Sequence, residues 1–158
     1  MKQKKNWFAV TNPYWYGLLL TLVTWGSYFL YLWPKMFFRS IEGIVAGWVG
    51  VYGDWAAHMA YASVFAYRPL VDWFIGHPLY WARKFTYPFA ADMISGLLMR
   101  GGLDQVAAFI IPSVVTTGVL LVVLYSFYYF ILQSAKRAVV AVTLFLASGG
   151  LGFGWFFL

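Results

Sequence analysis

Long uncharged apolar runs flank a single stretch that holds most of the chain's charge. The first run extends from Asn6 through Pro34. Within it, Tyr14–Trp33 has the length of a helix that crosses a hydrocarbon core, about 20 residues for roughly 30 Å. Trp7, Tyr14, Trp15 and Tyr16 crowd one end, and Tyr28, Phe29, Tyr31 and Trp33 the other. Such aromatic belts sit at membrane–water interfaces, and Pro34 marks the exit. The apolar core is too long, and its aromatic residues too bulky, for a cleavable signal peptide. The second run predicts a transmembrane helix over 105–134, with its core at 112–134 and Pro112 in the first turn, where a missing N–H costs nothing. Lys136 and Arg137 mark a turn at 135–137. A third apolar segment, 138–158, is interrupted by Gly149, Gly150, Gly152 and Gly154, which in membrane helices mark close packing or a break.

Between the first two runs lies the polar stretch, 34–104. It contains every acid (Glu42, Asp54, Asp72, Asp92 and Asp104) and both histidines, His58 and His77. The expected fold is therefore an all-α integral membrane protein, with three transmembrane helices and a large outer loop carrying amphipathic surface helices near 54–68 and 87–100. Lys2, Lys4 and Lys5 place residues 1–13 in the cytoplasm by the positive-inside rule, and Lys136 and Arg137 fall on the same side after two crossings. The loop, with six cations of its own, faces outward; loops longer than ~60 residues largely escape that rule. Three helices make a thin bundle, and the chain ends on Gly-Trp-Phe-Phe-Leu. The expectation is the N-terminal part of a longer protein that supplies further transmembrane helices.

Composition narrows the function classes. Of 158 residues, 63% are hydrophobic and 10% charged, against about 25% charged in soluble domains. The lipid bilayer is the expected surrounding. Cysteine is absent, which removes disulfides, thiolate metal sites and cysteine nucleophiles. The net charge of +6 comes largely from residues flanking the apolar runs. No basic face with interleaved polar residues is present, so no nucleic-acid partner is expected.

The candidate chemistry lies in the outer loop. Ser40–Gly53 is Gly-rich and apolar, fitting a segment that lies on or dips into the membrane; no regular element is assigned to it. Asp54 follows a glycine and has the chemistry of a helix N-cap. Asp54, His58, Tyr61, Phe65 and Arg68 then recur on one helical face, and Pro69 stops the helix. Asp72, Trp73, His77 and Pro78 fall in an irregular segment. Arg83 and Lys84 precede a helix start at Thr86–Pro88, an arrangement that favours an anion, whether lipid phosphate or substrate. Asp92 belongs to that helix, which stops at Gly101-Gly102. Each residue also has a bland role: Asp54 as a cap, His58 as an interfacial side chain, Asp92 as a dipole partner. No nucleotide-binding glycine loop, zinc-binding helix or nucleophile elbow occurs. Asp54 and His58 at i, i+4, with Asp92 brought in by folding, are weak candidates for a divalent metal ion; no other cofactor is expected.

In this order the features resemble the N-terminal region of GT-C glycosyltransferases, the multi-spanning enzymes that use polyprenyl-phosphate sugars and include the dolichyl-phosphate-mannose protein mannosyltransferases. The similar segments are Gly53-Asp54-Trp55-Ala56-Ala57-His58, His77-Pro78-Leu79 and Lys84-Phe85-Thr86-Tyr87-Pro88-Phe89, with Asp92 and the Gly149–Phe153 run. The resemblance implies sugar transfer from a polyprenyl-phosphate donor to an unidentified acceptor on the extracytoplasmic face. It makes Asp54 the general base, and it offers His58 as support, Asp92 as a second carboxylate, and Arg83 and Lys84 as donor-phosphate partners. Many members carry two adjacent acids at the first position; here Trp55 follows Asp54. The competing expectation is a non-catalytic scaffold or subunit that packs on a partner membrane protein. A transporter piece would need ionisable residues inside its spans, and these spans carry none.

Overall fold

The computed structural model describes residues 13–47, 52–80 and 82–148. It is mostly helical and divides into two compact units, residues 30–116 and residues 1–29 with 117–158.

In the unit 30–116, helix α2 (Ser27–Met36) carries Pro34 inside it and ends two residues later than the exit expected at that proline. It passes directly into a hairpin, β1 (Phe37–Ser40) with β2 (Gly43–Ala46), antiparallel, with Phe37 opposite Ala46 and Ser40 opposite Gly43. The hairpin departs from the all-α expectation. Aromatic and β-branched residues flank a two-residue connection here, which is strand chemistry. The Glu42 N–H donates to Ser40 Oγ at 3.1 Å, and Gly43 takes φ +126°, a region that side chains avoid.

Helix α3 (Tyr52–Tyr67) and helix α4 (Ala90–Arg100) cross closely at Gly96, which lies against the Ala62 carbonyl and Phe65. The second half of α3 is buried on two sides. Ala62 and Ala66 pack with Phe37, Met99, Ala108 and Phe109. Tyr61 and Phe65 pack with Phe85. The expectation of an amphipathic helix lying along a leaflet is thus corrected for α3: the aromatic segment after it folds back over its outer face, with the Trp73, Phe74, Phe85 and Phe89 rings all around Phe65. Arg100 closes the end of α3 by donating to the carbonyls of Ala66 and Arg68. Helix α4 starts at Ala90, after Phe89, so the expected start at Thr86–Pro88 is also corrected; residues 82–89 are irregular.

Helix α5 (Gln105–Leu132) begins at the start expected for the helix over 105–134, but Pro112 stands inside it rather than in its first turn. Asp104 starts it: its Oδ2 accepts from the N–H groups of Val106 (3.0 Å) and Ala107 (3.4 Å). Beyond the proline, Ser113 Oγ and Thr116 Oγ1 donate back to the carbonyls of Phe109 and Pro112. Among the described residues, α5 is the one helix long and apolar enough to cross a membrane. Only 17% of its most apolar window is buried, unlike the core helix of a soluble domain.

In the other unit, α1 (Pro13–Thr21) runs through a π turn (Leu22–Gly26) into α2. Helix α6 spans Ala135–Ala147. Leu18, Tyr125, Tyr129, Ala138 and Val142 form the core here. Tyr125 Oη donates to the Tyr14 carbonyl at 3.0 Å, and Tyr14 Oη meets Ser126 Oγ at 2.9 Å. The chain breaks at Gln133 (φ +50°) and Ser134, so Lys136 and Arg137 belong to the first turn of α6 rather than to a loop at 135–137. Among the described residues, one of the three expected spans, α5, is long and apolar enough to cross a membrane; a π turn divides the first, and the third extends into residues outside those described. Residues 1–12 and the glycines from Gly149 onward, including the Gly149–Phe153 run, lie outside the described residues.

Candidate functional site

Asp54 stands in the first turn of α3, exposed, and not at the N-cap position expected for it, because the helix already begins at Tyr52. One turn on, His58 faces α4. Its Nδ1 lies 2.8 Å from Asp92 Oδ1. With Asp92 ionised, Nδ1 carries the proton and donates. Asp92 is only 2% exposed, and its second oxygen, Oδ2, is buried without a hydrogen-bond partner among the described residues. Burial pushes the Asp92 carboxyl above the usual carboxylate range, and the bond to His58 pulls against that shift. The Gly96 crossing explains why Asp92 reaches His58: with no side chain at the contact, α4 lies close enough to α3.

Asp54, His58 and Asp92 line one cleft of about 340 Å³. Its other walls are mainly apolar: Trp33 and Met36 from α2, and Phe109 and Pro112 from α5. Trp55, the neighbour of Asp54, also lines it and stacks on Phe37 of the hairpin, with ring centroids 4.5 Å apart. Among the described residues no group of three metal-ligating side chains converges; His58 and Asp92 meet, and Asp54 is hydrogen-bonded to neither.

Arg83 and Lys84 are exposed and line a second, more polar cleft of about 610 Å³ with His77, Tyr80, Thr86 and Tyr87. The turn that builds it is closed by the His77 N–H donating to the Arg83 carbonyl at 2.8 Å. The Leu79 N–H donates to His77 Nδ1 at 3.2 Å, so the proton of a neutral His77 sits on Nε2. The cations therefore stand in an irregular turn and not at the N-terminus of α4. A row of rings connects the two clefts: His58 contacts Tyr87, Tyr87 stacks on Tyr61 at 4.6 Å, and Tyr61 meets His77 edge-on.

The arrangement offers an exposed carboxylate free to take a proton, a buried carboxyl–imidazole pair beside it, and a separate cation-lined hollow suited to an anion. From the sequence, Tyr61 is a helix-face residue, Trp33 part of an aromatic belt and Tyr87 part of the Lys84–Phe89 segment; none was expected to build the site. The one available signal was the density of aromatic residues around the singled-out polar ones. No family model, curated protein or solved structure matches the chain.

Proposed function

We propose that this chain contributes the donor and proton-accepting groups of a membrane glycosyltransferase that moves a sugar from a polyprenyl phosphate to an acceptor on the extracytoplasmic face. In this reading the chain crosses the bilayer more than once, with its N-terminus in the cytoplasm. The observation that carries it is the pairing of two unlike clefts in one unit. One is apolar and holds the exposed Asp54 beside the buried Asp92; the other holds Arg83 and Lys84.

The chemistry follows from the charges. Asp54 removes the proton from the acceptor as its oxygen attacks the anomeric carbon, forming the new glycosidic bond. The bond from that carbon to the phosphate oxygen breaks, and the charge developing on the lipid phosphate falls to Arg83 and Lys84. His58, one turn on in α3, and Asp92 on α4 line the same cleft as the base. The aromatic row between the clefts is a surface on which a sugar ring would rest.

The test uses the full-length native protein in proteoliposomes with radiolabelled polyprenyl-phosphate hexose. Asp54→Asn is expected to lower transfer by at least 10²-fold with unchanged expression. Arg83→Gln and Lys84→Gln are expected to raise KM for the donor more than they lower kcat. Turnover like wild type in Asp54→Asn removes Asp54 as the base.

A further inference from the structure

We infer that the apolar cleft receives the acceptor, and that this acceptor is a hydroxyl-bearing amphiphile whose hydroxyl bonds Asp92 Oδ2. The inference rests on the transfer reading above and adds the class of the second substrate.

The walls define the body of the ligand. Trp33, Met36, Phe109 and Pro112 present an apolar surface, and two of them belong to α5, the helix long enough to cross a membrane. A ligand dissolved in lipid meets this cleft from the apolar side. The volume of about 340 Å³ is at the small end for ligand sites, roughly 300–1,000 Å³. It suits a headgroup with a short length of single chain and is too small for a folded polypeptide segment.

The polar atoms define the head. The exposed Asp54 carboxylate repels a phosphate, so the anionic end of the donor belongs in the other cleft. Asp92 Oδ1 is taken by His58, whereas Oδ2 is buried and unpartnered among the described residues. Buried polar atoms nearly always find a partner. A prenyl tail supplies none, so an occupant that satisfies Oδ2 must bring a polar group. An ammonium pairs only with an ionised carboxylate, and burial disfavours that form here. A hydroxyl both donates and accepts, so it matches Asp92 in either protonation state. It is also the nucleophile that glycosyl transfer requires, and Asp54 lines the same cleft.

The experiment needs no sugar donor. The full-length native protein in nanodiscs is exposed to a long-chain alcohol bearing a diazirine and an alkyne, and separately to the matching hydrocarbon, which lacks the oxygen. Labelled peptides are identified by mass spectrometry. The alcohol is expected to label the peptides containing Trp33–Met36 and Phe109–Thr116 about tenfold more than the hydrocarbon, the worth of one hydrogen bond to a buried partner. Asp92→Leu should bring the two probes to parity. Equal labelling of the wild-type protein by both probes, or labelling of neither peptide, overturns the inference, and because that comparison is made on the wild type it does not depend on a variant folding. The two readings also fail separately. Alcohol-selective labelling by a protein that transfers no sugar from any polyprenyl-phosphate donor upholds the site and sinks the transferase. Transfer to a water-soluble acceptor, uncompeted by the alcohol, upholds the transferase and sinks the site.

Discussion

Replacing Gly96 by alanine tests the contact that brings Asp92 to His58. A Cβ built at Gly96 lies 2.4 Å from the Ala62 carbonyl oxygen and 2.7 Å from Phe65 Cβ, whereas ordinary contact begins at 3.4 Å. One obstacle is backbone and the other is fixed to it, so neither rotates away. Helices α3 and α4 must part by about 1 Å. Forcing one extra carbon into a packed contact costs about 1–3 kcal/mol, and this site belongs at the upper end. Alanine recovers about 1 kcal/mol of helix propensity over glycine. The net loss is about 1–2 kcal/mol, and each kcal/mol lowers Tm by about 2–4 °C in a chain of this size. Tryptophan-fluorescence melting of the purified protein in detergent should therefore show Gly96→Ala unfolding about 2–8 °C below wild type. Gly118→Ala is the control: apart from its chain neighbours and the backbone of its own helix, no heavy atom of the described residues lies within 4 Å of its Cβ, so it should melt at or slightly above wild type. A Gly96→Ala protein as stable as wild type would refute the close crossing, and with it the geometry of the His58–Asp92 pair.

Further expectations follow from other contacts. Because burial raises the Asp92 carboxyl above its ordinary 3.8, the folded state holds that proton more tightly than the unfolded state. The resulting stability is full below the ordinary value and is lost as pH rises through the raised one; Asp92→Asn should remove that part of the slope in a series of chemical-denaturation curves. In the other unit, Gly17→Ala places a Cβ against the Tyr125 hydroxyl and ring. It should lower Tm, and adding Tyr125→Phe, which deletes the nearest atom, should restore part of the loss in a double-mutant cycle; strictly additive effects would contradict the contact.

The parts of this fold that the sequence discloses are those with local causes. Pro69 ends one helix and Gly101-Gly102 another, because a missing N–H or a φ of +95° at Gly102 acts on its own neighbours. An apolar run as long as α5 is equally plain. Asp104 is a local signal too, an acid directly before an apolar run, and the helix starts after it at Gln105 as expected. The hairpin was harder, since its residues suit a membrane surface as well as a strand. Tertiary placement stayed hidden. Nothing between His58 and Asp92 in the chain announces that they meet, because the meeting depends on a side chain absent at Gly96. Nothing local separates Arg83 and Lys84 from the carboxylates either; the fold puts them in different clefts. The burial of α3 came from aromatic residues that, in a chain this rich in them, suit an interface as readily as a core.

Asp104 is joined to two partners at once. One of its oxygens holds the start of α5, and the other holds Arg39 of the hairpin. Arg39 is two residues from Phe37, and Phe37 stacks on Trp55 in the cleft wall. The Arg39 guanidinium keeps the Asp104 carboxyl below its usual range, so this rivet outlasts mild acid. Below that range one protonation weakens both fastenings together, the helix start and the exposed ion pair.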